Sequence, residues 1–276
     1  VTAADRNRDF LADVGQMADD EIDVAETALV LSAMDHAATP LDRYRAHFVD
    51  LATAAQRAAT SVDGVSSAGE ALRAIVVEEN RYTGDRRTYD DLQNADMIRV
   101  IDRRCGLPVA LGILYCHAGR AAGWDVTGIR FPAHYLLRLE VSGERAIIDP
   151  FNDGASLDAP ALRQLVKTVA GEAAELDPKY LQPAGNRETL LRLQNNIRTR
   201  ATRMGDLERA DAVLQRMLLI APDHADLHRD LAVTEARKGN LRDAIVACER
   251  FADLADDERQ LHEAARLLQK LKIKLN

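Results

Sequence analysis

The chain has 276 residues, a net charge of −8 and a pI near 5.4. So acidic a balance gives no general electrostatic pull toward nucleic acid or anionic membrane, and neither is expected as a partner. Apolar content of 47% and charged content of 29% suit a soluble globular protein, and no apolar run reaches the ~18 residues of a membrane-spanning helix.

Aromatics are scarce at 4% while alanine and leucine abound, which favours helix over strand. Three scattered cysteines, Cys105, Cys116 and Cys248, make no disulfide framework and fit a reducing cytoplasm, so a cytoplasmic location is expected. The opening VTAADRNRDF lacks the basic-then-apolar order of a signal peptide. A start at Val1 rather than Met leaves the native N-terminus open.

Residues 1–100 read as helices. Phe10, Leu11, Val14 and Met17 recur at helical spacing, as do Ala25, Leu29, Val30 and Met34. Thr39-Pro40 breaks the pattern, and Pro40 can begin a helix carrying Tyr44, Phe48, Leu51 and Ala55 on one stripe. Another helix is expected over 68–79. The stretch NRYTGDRRTYDDLQNAD then reads as an ordered loop.

Residues 101–186 form a second region. From Pro108 to Ala122 nearly every residue is apolar or small, the mark of a buried helix. Pro108 suits the first helical position, and Gly123 suits the stop. Three strand-like runs follow, over 126–131, 135–141 and 145–151. With Ser142-Gly143 as a two-residue hairpin loop, Leu137 faces Ile148, Leu139 faces Ala146, and Glu140 faces Arg145 as an ion pair. The same register puts His134 and Asp149 on one face as diagonal neighbours, about 5–8 Å apart.

Residues 187–276 repeat with a period of 34. Gly205-Asp206-Leu207 returns as Gly239-Asn240-Leu241, and Ala210 returns as Ala244. The spacing resembles tetratricopeptide repeats, closed by a capping helix over 259–273. Arg192, Asn195, Arg198 and Arg229 fall on the first helices of these repeats and are the candidate face for an acidic peptide or a C-terminal carboxylate.

The order Gly106, Pro108, then His134, then Asp149-Pro150 resembles the transglutaminase-type site. The stretches IDRRCGLPVALGILY, GIRFPAHYLLRL, IIDPFNDG and LLRLQNNIRTR are more closely similar to SirB-type proteins, which join a transglutaminase-like domain to C-terminal tetratricopeptide repeats. The resemblance implies an α+β, mainly helical fold: a papain-like core with a small antiparallel sheet, then helical repeats. It also implies a cysteine nucleophile at a helix N-terminus, with histidine as base and aspartate as orienter. Here Pro108 stands at the nucleophile's position, and proline has no side chain for covalent catalysis.

Function is therefore expected to be non-catalytic: an adaptor or regulator that binds a protein or peptide through the repeats. One alternative is a hydrolase or amide-transfer enzyme, using Cys105 beside Arg103 and Arg104, or a water activated by His134 and Asp149. Another is a structural assembly protein. Asp102-Arg103-Arg104 reads as local ion pairing that pins the loop. His224 and His228 have helical metal-ligand spacing but no third ligand, so no metal is expected, and no cofactor motif is present.

Overall fold

The computed structural model describes residues 2–275. Its contacts divide the chain into two units. The first holds Ala18–Asn196 and the residues before Arg8; the second holds Arg8–Met17 and the chain from Ile197 onward. Helix α1 (Ala3–Gln16) thus has most of its length in the second unit, where the Gly15 backbone lies against α-helical residue Leu219. A Cβ on Gly15 would stand 2.2 Å from the Leu219 carbonyl oxygen.

In the first unit, α2 (Val24–Ala33) is buried on nearly every face and is capped by Asp23, which accepts from the Glu26 N–H at 3.0 Å. Helix α3 (Asp42–Ala59) begins two residues after Pro40 and buries Tyr44, Phe48, Leu51 and Ala55, the stripe expected from spacing. Helix α4 (Val65–Arg73) continues as a π-helical stretch, Ala74–Glu79. The loop that follows contains a two-residue strand β1 (Thr83–Gly84) and leads to α5 (Met97–Arg103). Strand β2 (Cys105–Gly106) pairs in parallel with β1 and delivers the chain to α6 (Pro108–Ala121).

A five-stranded antiparallel sheet forms from β3 (Asp125–Ile129), β4 (Leu136–Val141), β5 (Glu144–Asp149), β6 (Ala155–Leu157) and β7 (Pro183–Ala184). Their order is β6-β5-β4-β3-β7. The β4–β5 register pairs Leu137 with Ile148, Leu139 with Ala146 and Glu140 with Arg145, the last an ion pair at 2.9 Å. Ser142 (φ +53°) and Gly143 (φ +85°) are both left-handed, as a type I′ turn requires. Strands β6 and β7 escape a pattern search because two or three residues carry no alternation.

Buried α6 lies against one face of the sheet through two glycines. Cβ atoms added to Gly112 and Gly119 would meet Tyr135 and Val126, each at 2.4 Å. On the opposite face, Leu162 and Val166 of α7 (Ala159–Ala170) pack with Ile129, Phe131 and Leu136. Helix α8 (Asn186–Met204) follows, its first N–H groups capped by Asp19: Oδ2 accepts from Asn186 N at 2.8 Å and Oδ1 from Arg187 N at 2.9 Å. The division into units falls inside α8, between Asn196 and Ile197.

The second unit adds α9 (Leu207–Ile220), α10 (Ala225–Lys238), α11 (Leu241–Leu254) and α12 (Glu258–Leu275). Gly205 (φ +79°) and Gly239 (φ +86°) end α8 and α10 in the left-handed conformation, 34 residues apart. Ala244 and Cys248 are fully buried against Ala232 and Leu271. Among the described residues no helix is long and apolar enough to cross a membrane.

Candidate functional site

The N-terminus of α6 is held by backbone before any side chain contributes. Leu107 donates its N–H to the Asn94 carbonyl at 2.8 Å, and Gly106 sits so close to Asn94 and Val100 that a Cβ would reach Val100 Cγ2 at 2.9 Å. Pro108 then takes the first helical position, half-buried, where a missing N–H costs no hydrogen bond.

The three residues before Cys105 are pinned by partners far away in sequence. Asp102 takes Arg43 at 2.9 Å and the Tyr44 hydroxyl at 3.1 Å. Arg103 donates to Asp85 at 3.0 Å and to Asn94 at 2.9 Å. Asp85 is buried, yet it also accepts from Thr88 Oγ1 and from the Arg87 and Thr88 N–H groups; together these bonds outweigh its burial and hold its carboxyl well below the usual carboxylate range. Arg104 is a left-handed residue (φ +58°) whose guanidinium reaches His47 Nε2 at 2.7 Å and the Tyr82 hydroxyl at 2.6 Å. Burial, aided by the Arg104 charge, pushes His47 down to about 4.

Cys105 is half-buried on β2. Flanking arginines lower a thiol pKa where their charge is free to act, yet here the thiol is raised. Burial dominates, the Arg103 charge opposes it, and Asp85 and Asp91 add to the rise. The Arg103 guanidinium is already committed to Asp85, so the thiolate gains little from it.

His134 and Asp149 are not joined. His134 is half-buried at the end of a bend over 132–134 that contains left-handed Ala133 (φ +56°), and β4 begins only at Leu136. Strand alternation therefore does not carry back to the histidine. Asp149 is 4% exposed at the end of β5, and its oxygens serve its own turn. Oδ1 accepts from Phe151 N at 2.9 Å and Asn152 N at 3.2 Å, and Oδ2 accepts from the Asn152 side chain. Among the described residues no hydrogen bond or ion pair links Asp149 to His134.

Several neighbours were missed by sequence reasoning. Asn152 also accepts from Arg86, whose guanidinium lies 5.6 Å over the Phe151 ring; Tyr89 meets the same ring edge-on at 5.7 Å. The run Asp149-Pro150-Phe151-Asn152-Asp153-Gly154 is dense in turn residues, a signal that the aspartate would serve its own turn. Arg192 is drawn into this region as well. Its guanidinium lies 5.3 Å over the Tyr135 ring and donates to the His134 carbonyl at 2.6 Å, and burial lowers its pKa.

The four residues assigned to a repeat face therefore divide. Arg192 and Asn195 lie in the first unit, Arg198 and Arg229 in the second. Arg198 and Arg229 both hold Asp230, at 2.6 and 3.0 Å, and Arg229 also holds Asp226 at 2.8 Å. His228 bonds the Pro222 carbonyl at 2.7 Å. Among the described residues no three histidine, cysteine or carboxylate side chains gather as a metal site.

A family model described as a transglutaminase-like superfamily matches residues 42–195, more than half of the chain, and one described as a tetratricopeptide repeat matches 197–269. A UPF0162 protein of Xylella fastidiosa is 28% identical over 187 residues, covering 67% of this chain and 66% of its own length. A UPF0162 protein of Vibrio cholerae is 33% identical over 168 residues, covering 60% and 62%. The human F-box only protein 21 is 30% identical over 83 residues, 30% of this chain and 13% of that protein. The match to the bacterial relatives thus spans just under two thirds of their length.

Proposed function

This chain belongs to the transglutaminase-like superfamily, and we propose that it carries Pro108 at the nucleophile's position and acts as a non-catalytic adaptor or regulator that binds a partner protein through its tetratricopeptide repeats. The carrying observation is Pro108 at the first position of α6, where the helix N-terminus would otherwise activate a thiol. Two further placements support the reading. The Asp149 carboxylate is engaged by its own turn, so His134 lacks the orienter a general base would use. Burial raises the pKa of the Cys105 thiol, the opposite of what an activated nucleophile needs.

Alkylation with iodoacetamide at pH 7 tests this. Cys105 should react more slowly than the thiol of an unstructured cysteine peptide. A faster rate, together with turnover of ester or amide substrates that disappears in Cys105→Ser, would make the chain a thiol enzyme and sink the adaptor reading.

A further inference from the structure

Facing surfaces of α10 and α12, both in the second unit, enclose a groove of about 490 Å³. Its floor is apolar: Val233 and Ala236 from α10, Leu267, Leu271 and Ile273 from α12. Ile273 is 69% exposed, a large apolar side chain left open to water. The rim is Arg237, Lys270 and Lys274, and no acidic residue lines this groove.

Val233 also borders two adjoining grooves, so the three share one stretch of α10. The carboxylates in the adjoining grooves are already occupied. Asp211 pairs with Lys238 at 2.5 Å, Asp230 with Arg198 and Arg229, and Glu263 with Arg229 at 3.8 Å. Arg203, Arg237, Arg266, Lys270 and Lys274 line these grooves with no ion-pair partner among the described residues. In a chain of net charge −8, this is a local surplus of positive charge around an apolar floor.

Resting on the reading of the chain as a protein-binding adaptor, we propose that the groove between α10 and α12 docks an acidic amphipathic segment of a partner protein. Its apolar side chains fill the floor at Val233, Leu267 and Ile273, and its carboxylates meet Arg237, Lys270 and Lys274. Apolar anchors supply affinity, and the cationic rim supplies steering and selects against basic segments. A single-stranded nucleic acid fits less well. It needs aromatic platforms, and from residue 197 onward the one aromatic is Phe251, which is fully buried.

A random 16-residue peptide library displayed on phage is selected against the full chain, and the enriched peptides are measured by fluorescence anisotropy. Enriched sequences should be net acidic with Leu, Ile, Val or Met at intervals. Their Kd should rise at least tenfold in R237E/K270E/K274E, which changes only exposed side chains, and by an intermediate amount in R237Q/K270Q/K274Q. It should also rise between 50 and 300 mM salt. Failure to enrich any peptide, enrichment of neutral or basic ones, or an unchanged Kd in the charge-reversed variant would overturn the assignment. So would tighter binding of polyuridylate or of phosphatidylglycerol vesicles than of any selected peptide. Peptides that bind regardless of the charge reversal would end the groove assignment and leave the adaptor reading standing. Turnover dependent on Cys105 would end the adaptor reading and leave the groove untouched.

Discussion

Single residues around α6 are set by partners distant in sequence. The local pairing expected of Asp102, Arg103 and Arg104 is not what forms: each is held by residues 9 to 59 positions away, such as Arg43, Asp85 and Asn94. No local pattern encodes those pairings. His47 carries a measurable consequence. Burial, aided by the Arg104 charge, pushes the folded imidazole down to about 4, while in the unfolded chain it protonates near its ordinary value of 6.5. The unfolded state then binds more protons between these limits, so stability is fully present above pH 6.5 and falls as pH drops toward 4, by up to about 3 kcal/mol. Urea midpoints measured from pH 7.5 to 4 should show this loss, and His47→Gln should flatten it. An equally steep fall in the variant would remove His47 as its source.

Among the elements, α6 shows what periodicity can and cannot foresee. Its length, its proline start and its burial were all legible, because an all-apolar helix must be covered. Which face meets the sheet was not, since such a helix has no polar side to orient it. Gly112 and Gly119, seven residues apart, mark that face by close approach to Tyr135 and Val126. Tyr135 is 2% exposed and bonded to Thr189 at 3.0 Å, so it cannot swing away. Gly112→Ala should therefore destabilise by about 1–3 kcal/mol through overpacking, despite the ~1 kcal/mol that alanine gains over glycine in a helix. Gly69→Ala on α4 should do the reverse, stabilising by about 0.5–1 kcal/mol, because its Cβ would find only Leu139 Cδ2 at 3.9 Å. Denaturant unfolding of both variants checks the pair; equal effects of one sign would refute the packing argument.

Across the whole molecule, the three thiols report on the two units separately. Cys116 lies inside α6 in the first unit, Cys248 inside α11 in the second, and both are buried; Cys105 is half-exposed. A thiol-exchange titration of the native chain should count one reactive cysteine at neutral pH, Cys105, and all three after unfolding. A second thiol that reacts in the native protein would mean that one of the two cores opens on the timescale of the reaction.

The sequence by itself determined the elements whose pattern is local or repeated. The β4–β5 register follows from a two-residue turn and a period of two, and the repeat period follows from glycines that must be left-handed at Gly205 and Gly239. It also determined that proline opens the buried helix α6, at the first helical position. Tertiary structure alone decided that no hydrogen bond joins His134 to Asp149, because the histidine sits in a bend ahead of β4 and the aspartate finds nearer donors in its own turn. It decided too that Arg192 turns into the first unit, and that the uncommitted cations gather between α10 and α12. Charge balance within each helix is visible in the residues; which charges are already paired depends on what the other helices bring alongside.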